Sequence, residues 1–165
     1  MRVLLTLLLK NLKNTYEELA IYQLISGEYK IIRGDLVFID VPDNVNASLH
    51  THPWDLPIPS IEDLISVLKN KEKVFGILST VNNKGILASY SFKKKIDVDD
   101  FYYLYGLIES IAKESFRDAD EKIDVGDYVI GKHTQERNIL RLTFKYLDEF
   151  SEFFRVVIEA FNIKS

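Results

Sequence analysis

The segment His50-Thr51-His52-Pro53-Trp54-Asp55-Leu56-Pro57-Ile58-Pro59-Ser60-Ile61-Glu62-Asp63 concentrates residue types that are scarce elsewhere in the chain. It holds two of the three histidines, three of the four prolines and the only tryptophan. A short apolar run, residues 45–49, precedes it with the character of a strand. Apolar residues at helical spacing follow from position 61 onward. We therefore predict that a strand ends and a helix begins inside this segment.

Two histidines separated by one residue on a strand point to the same side of the sheet. The Cα atoms of His50 and His52 would lie about 6.6 Å apart, so both rings could reach one metal ion. Asp63, in the first turn of the predicted helix, could complete a ligand set. Because the chain has no cysteine, any such site must use His, Asp or Glu. Two plainer interpretations stand beside this one: Ser60 and Asp63 also have the spacing of a helix capping box, and a His-x-His pair can be purely structural.

The order His50-Thr51-His52-Pro53, six residues, Ser60, two residues and Asp63 resembles the signature of the JAMM (MPN+) zinc metalloproteases at every defining position. The predicted order of elements in residues 2–92 also resembles that family. The resemblance implies an α/β (α+β) fold with a central mixed β-sheet flanked by helices, similar to cytidine deaminases. It covers a core of residues 1–96. We expect residues 97–165 to be a C-terminal α/β extension packed on this core. The alternative is that residues 1–165 form one continuous domain.

By the same resemblance, His50, His52 and Asp63 would bind Zn²⁺ and Ser60 would stabilise the oxyanion. The general base of the family is a glutamate that opens an upstream strand. Glu18 fits this position best, although it precedes Gly27 by two residues more than we expect in the family. Glu17 and Glu28 remain alternatives.

The function that this resemblance implies is hydrolysis of an amide bond at the C-terminus of a ubiquitin-like or sulfur-carrier protein, or of a related peptide. The enzyme would be a zinc-dependent peptidase or isopeptidase. The alternative is a binding or scaffold protein that keeps the fold and the motif without proteolysis.

The composition of the chain limits the kinds of fold and the kinds of partner that we expect. With 165 residues, 47% of them hydrophobic and 28% charged, the chain can bury a sizeable core. A net charge of −4 makes nucleic acid an unlikely partner. No run reaches the roughly 20 apolar residues of a transmembrane helix, so no membrane association is expected. The N-terminal apolar run stops at Lys10 without a cleavage site, and we expect a cytoplasmic protein.

The rest of the chain gives coarser predictions. We expect helices at 2–14, 98–117 and 147–161, and a charged loop at 118–126. Strands are predicted at 17–25, 74–81, 86–92, 128–130 and 139–144, with a hairpin at 29–41 whose strands are 31–32 and 36–39. The aromatic helix 98–117 indicates burial or a homodimer contact. His133 is predicted to be a loop residue, and Trp54 either to line a substrate cleft or to pack the loop.

Overall fold

The computed structural model describes residues 1–34, 41–124, 126–127 and 129–163. Within these residues the chain forms five helices and eight strands. In chain order they are α1 (Arg2–Asn11), β1 (Glu18–Leu24), β2 (Tyr29–Gly34), β3 (Val45–Pro53), α2 (Ile61–Asn70), β4 (Val74–Val81), β5 (Lys84–Phe92), α3 (Val98–Asp118), β6 (Glu121–Asp124), β7 (Val129–Lys132), α4 (Glu136–Lys145), α5 (Leu147–Ser151) and β8 (Phe154–Asn162). None of the described helices is long and apolar enough to cross a membrane.

A six-stranded mixed sheet lies at the centre, in the order β2-β1-β3-β4-β5-β8. Strands β3 and β4 are parallel, and the other described neighbours are antiparallel. Helix α2 supplies the crossover that two parallel strands require. Strands β6 and β7 form a separate two-stranded sheet. The predicted mixed α/β fold with a central sheet flanked by helices is therefore confirmed.

Helices pack on both faces of the sheet, which is why its inner strands are apolar on both sides. On one face, Leu4 and Leu8 of α1 pack against Leu19, Leu49 and Leu78. The other face carries the larger core, in which helices α2 to α5 pack over the strands. Its most buried members include Leu64, Phe75, Ile77, Tyr90, Leu104, Leu142 and Phe154.

Two predictions for the C-terminal part are wrong. Residues 139–144, predicted to be a strand, lie in α4, where Ile139, Leu142 and Thr143 are buried at helical spacing. Residues 147–161, predicted to be a helix, divide into the short α5 and the strand β8. β8 pairs with β5 along its whole length, from Phe154 opposite Phe92 to Asn162 opposite Lys84. The pairing supplies hydrogen bonds to an edge of β5 that would otherwise have none, and this outweighs local helix preference.

The other boundaries differ by smaller amounts. Helix α1 ends at Asn11 rather than at residue 14, and the predicted loop 118–126 contains β6. The strand at 31–32 is part of β2, which forms its hairpin with β1. The predicted strand 36–39, as well as Tyr128, lies outside the described residues. β8 also means that the predicted boundary near residue 96 falls between two neighbouring strands of one sheet.

Candidate metal centre

Strand β3 places the two histidines between β1 and β4, on the sheet face that α2 covers. His50 pairs with Ala20 of β1 and with Ile77 of β4. The small side chain of Ala20 leaves room beside the imidazole rings. Thr51 points to the opposite face, where its Oγ1 accepts a hydrogen bond from Leu19 N at 2.9 Å and donates one to Glu17 O at 2.7 Å. These two bonds hold the start of β1 against the end of β3, next to His52.

Asp63 reaches the histidines from the first turn of α2. Ser60 is the N-cap of this helix, and its Oγ accepts a hydrogen bond from Asp63 N at 3.0 Å. Asp63 Oδ2 in turn accepts one from Ser60 N at 2.9 Å. The capping box that the sequence suggested as a plain alternative is therefore present. Because the capping box fixes the direction of the Asp63 carboxylate, it also places that carboxylate next to His50 and His52.

Three ligand atoms form a compact triangle. His50 Nε2 lies 3.1 Å from His52 Nε2, and Asp63 Oδ2 lies 3.2 Å and 3.3 Å from these two nitrogens. Ligand atoms about 2.0–2.1 Å from a tetrahedral ion are separated from one another by roughly 3.3 Å. The three atoms therefore have the spacing of one face of a tetrahedral site, and the group could bind a metal ion. Their side chains are 14–22% exposed, so the centre is recessed but still reachable.

The electrostatics of the triangle favour a cation. Burial opposes ionisation of Asp63, but the neighbouring His50 and His52 hold the pKa of this carboxyl well below its usual range. Burial likewise opposes protonation of His52, but its hydrogen bond to Asp63 and the carboxylate charge raise the pKa of the ring to about 9. Without a metal, a proton on His52 thus balances the Asp63 carboxylate. A metal ion would displace that proton, since an imidazole ligand must be neutral.

A chain of hydrogen bonds that starts at Nδ1 of the ring orients His52. Its Nδ1 donates to Leu56 O at 3.0 Å, so the proton that a metal ion would displace is the one on Nε2, the nitrogen directed at the triangle. The amide of Leu56 donates to Asp55 Oδ1 at 2.8 Å, and Ser115 Oγ donates to the same oxygen at 3.2 Å. Ser115 Oγ also lies 3.0 Å from His133 Nε2. Because the serine proton goes to Asp55, His133 Nε2–H must donate to Ser115.

His133 is fully buried, although its position just after β7 is a loop as predicted. Its amide donates to Trp54 O at 2.9 Å, and Trp54 N donates to Thr80 O at 2.9 Å. His133 Nδ1 has no hydrogen-bond partner among the described residues. Through its amide and through Ser115, His133 therefore connects segment 97–163 to the loop that follows His52. Sequence reasoning missed Asp55, Ser115 and the burial of His133, because positions so far apart in the chain give no joint signal.

Trp54 packs the loop. Its ring stacks on Tyr16 with centroids 4.6 Å apart, and Lys132 Nζ lies 4.3 Å from the ring centroid. The backbone of Trp54 has φ of 60°, a strained value for a bulky residue, which these contacts hold in place. Of its two predicted roles, packing the loop is the one that these contacts describe.

The three candidate glutamates differ in position. Glu18 opens β1 and, two residues before Ala20, lies on the same sheet face as His50 and His52. Glu17 points to the other face, forms an ion pair with Arg33 and accepts a hydrogen bond from Lys13 N. Glu28 is exposed in the turn at the opposite end of β1. Of these three glutamates, strand alternation and pairing thus place Glu18 at the end of this face where His50, His52 and Asp63 meet.

A cleft of about 240 Å³ opens beside His52 and Ser60, between the loop 55–60 and the second half of α3 with β7. Comparisons of the chain with protein-family models, with curated proteins and with solved structures give no match.

Proposed function

We propose that the protein is a JAMM-type zinc peptidase or isopeptidase that hydrolyses an amide bond at the C-terminus of a ubiquitin-like or sulfur-carrier protein, or of a related peptide. The observation that carries the proposal is the triangle of His50 Nε2, His52 Nε2 and Asp63 Oδ2 with edges of 3.1–3.3 Å. Three protein ligands with an open fourth position are typical of catalytic zinc, whereas structural zinc has four. A cleft lined by His52 and Ser60 lies beside this group and would give a substrate access to it.

A zinc ion held by these three residues would supply Lewis acidity and lower the pKa of a bound water to about 7. The Glu18 carboxylate accepts a proton from the water that attacks the scissile carbonyl carbon. A C–O bond forms, the C–N bond then breaks, and Glu18 returns the proton to the leaving amine. Ser60 lines the cleft, and its Oγ accepts a hydrogen bond from Asp63 N. Its own proton is then available to the oxyanion that develops on the substrate.

Metal analysis of the purified protein is the first experiment. We expect one equivalent of zinc in the wild type and a substoichiometric amount in Asp63→Ala. Asp100→Ala is the matched control, because Asp100 occupies the same position in the capping box of α3, away from the histidines. Both variants lose a helix cap, so only loss of the metal site separates them. Stoichiometric iron would contradict the zinc assignment, since two histidines and one carboxylate also bind iron in non-haem oxygenases.

The second experiment separates an enzyme from a scaffold protein. Fusions of ubiquitin-like proteins are incubated with zinc-loaded wild type, Glu18→Gln and Glu28→Gln. We expect cleavage by the wild type and by Glu28→Gln, and at least a 100-fold loss of kcat in Glu18→Gln. Unchanged cleavage by Glu18→Gln would exclude this residue as the base. A zinc-replete wild type that cleaves none of the fusions would support the scaffold alternative.

A further inference from the structure

The cleft beside the metal centre is lined mainly by apolar side chains. They belong to the loop before α2, to α3 and to β7, and they include Leu56, Ile58, Ile111, Ala112, Phe116 and Ile130. Its polar edge is formed by His52 and Ser60, the residues nearest to the proposed chemistry. A substrate whose scissile bond lies at the metal centre must therefore place its adjoining residues against this apolar surface.

We propose that the cleft is a specificity pocket that binds one large apolar side chain of the substrate next to the scissile amide bond. The position of this pocket relative to cleavage rests on the proposed function, whereas binding of an apolar side chain does not. A volume of about 240 Å³ lies below the range of roughly 300–1,000 Å³ for sites that hold a whole drug-sized molecule. It suits a single aliphatic or aromatic side chain with part of its backbone.

The charged residues around the cleft make it a poor binding site for a basic or acidic side chain of a substrate. Among the described residues that line it, Asp55 is the only charged one apart from His52. Asp55 Oδ1 already accepts hydrogen bonds from Leu56 N and Ser115 Oγ. A lysine or arginine of the substrate would gain little from a carboxylate engaged in this way, and the described lining residues include no lysine or arginine that could pair with an acidic side chain. An apolar side chain loses no such hydrogen bonds on entering.

The far side of the cleft belongs to residues 97–163. Ile111, Ala112 and Phe116 lie on α3 and Ile130 lies on β7, and both elements are outside the region that resembles the JAMM family. The loop side is held to them by the bonds of Ser115 and His133. Substrate choice would thus be a property of this segment, and the metal chemistry a property of residues 18–63.

Binding is tested first, on the zinc-free full-length protein, so that no activity is needed. The probes are acetyl-Gly-Leu-Gly-amide and acetyl-Gly-Ala-Gly-amide, followed by amide resonances in ¹H–¹⁵N spectra. We expect the leucine peptide to shift the amides of Ala112, Phe116 and Gly131 and to bind about 10-fold to 100-fold more tightly than the alanine peptide. Equal affinities, or shifts that avoid these three amides, would overturn the proposal.

Ala112→Phe is the variant that fills the cleft, because Ala112 lies at its mouth and is exposed. Lys113→Phe is the matched control: it places the same side chain one position along α3, where Lys113 is 78% exposed and lines no part of the cleft. We expect Ala112→Phe to weaken the leucine peptide at least 10-fold and Lys113→Phe to leave it unchanged. Equal effects of the two substitutions would count against the pocket.

Cleavage then separates the pocket from the proposed function. Fusion substrates carry leucine or alanine in turn at the two positions on each side of the scissile bond. At one position the wild type should prefer leucine by about 10-fold to 100-fold in kcat/KM, and Ala112→Phe should reduce that ratio towards one. Cleavage without any preference would overturn the pocket and leave the peptidase standing. Leucine-selective binding without cleavage would overturn the peptidase and leave the pocket standing.

Discussion

Removal of the Ser115 hydroxyl should weaken zinc binding at the proposed site, although Ser115 is not one of the three candidate ligands. Its oxygen joins His133 Nε2 to Asp55 Oδ1, and Asp55 Oδ1 also accepts the amide of Leu56, whose carbonyl orients His52. Loss of partners that orient a metal-binding histidine typically costs 10-fold to 100-fold in metal affinity. We expect Ser115→Ala to raise the Kd for zinc by this factor, which corresponds to about 1.4–2.7 kcal/mol.

The substitution Ser115→Ala should affect both the stability of the fold and the affinity for zinc. Ser115→Ala leaves the buried His133 Nε2–H without an acceptor, which costs about 1–3 kcal/mol of folding free energy. Asp55 Oδ1 loses one of two donors and keeps the amide of Leu56. The effect on zinc therefore arises from looser positioning of the loop 54–56 and is smaller than the effect of removing a ligand.

Zinc affinity is measured by competition with a chromophoric chelator, and the stability of the zinc-free protein by urea unfolding. Ser151→Ala is the matched control, since Ser151 Oγ donates to Leu147 O on α5, away from the metal centre. It should leave the Kd for zinc unchanged. Ser115→Thr keeps the hydroxyl and should restore most of the affinity. If Ser115→Ala lowers stability and binds zinc as tightly as the wild type, the chain of bonds has only a structural role and this reasoning is wrong.

Three further predictions concern protons and the C-terminal strand. Burial raises the pKa of Glu72 from 4.5 to about 7, so the folded state binds more protons between these values. The free energy of unfolding should fall by up to about 3 kcal/mol as pH rises through that range, and urea titrations of Glu72→Gln should lack this loss. Because the pKa of His52 is about 9, the apparent zinc affinity should fall about tenfold for each pH unit below 9, as followed by chelator competition; a pH-independent affinity would contradict it. A fragment of residues 1–96 should not fold, since it lacks β8 and leaves Tyr90 and Phe92 uncovered; a soluble fragment with a cooperative thermal transition would contradict this.

The sequence predicted the part of the site that depends on local geometry. Alternation on a strand put His50 and His52 on one side, and the first turn of α2 put Asp63 beside them. These positions follow from fixed rises and turns over fewer than fifteen residues. Ser115, in contrast, meets both Asp55 and His133 only because α3 and β7 fold back over the loop. No spacing in the chain carries that information.

Prediction of the fold from the sequence is limited in the same way, because it also depends on contacts between residues that are far apart in the chain. Residues 154–162 combine phenylalanine and β-branched residues in a pattern that suits either a helix or a strand, and partners decide between them. The free edge of β5 is such a partner, and it lies some 70 residues earlier in the chain. The strands 74–81 and 86–92 were predictable because the two-residue turn at Asn82 and Asn83, with φ of 48° and 61°, connects them locally.

Two helices in the described part of the chain begin with a capping box, and their comparison explains why a cap is no argument against a metal centre. Ser60 with Asp63 and Asp97 with Asp100 show the same pair of reciprocal hydrogen bonds at the start of α2 and α3. Asp100 forms an ion pair with Lys94 at the surface, whereas Asp63 meets two partly buried histidines. The capping motif thus sets the direction of the carboxylate, and the strand that precedes the helix determines what this carboxylate meets. In Asp63 one oxygen, Oδ2, both accepts the capping hydrogen bond and is the candidate metal ligand, so the cap and the proposed metal site are compatible.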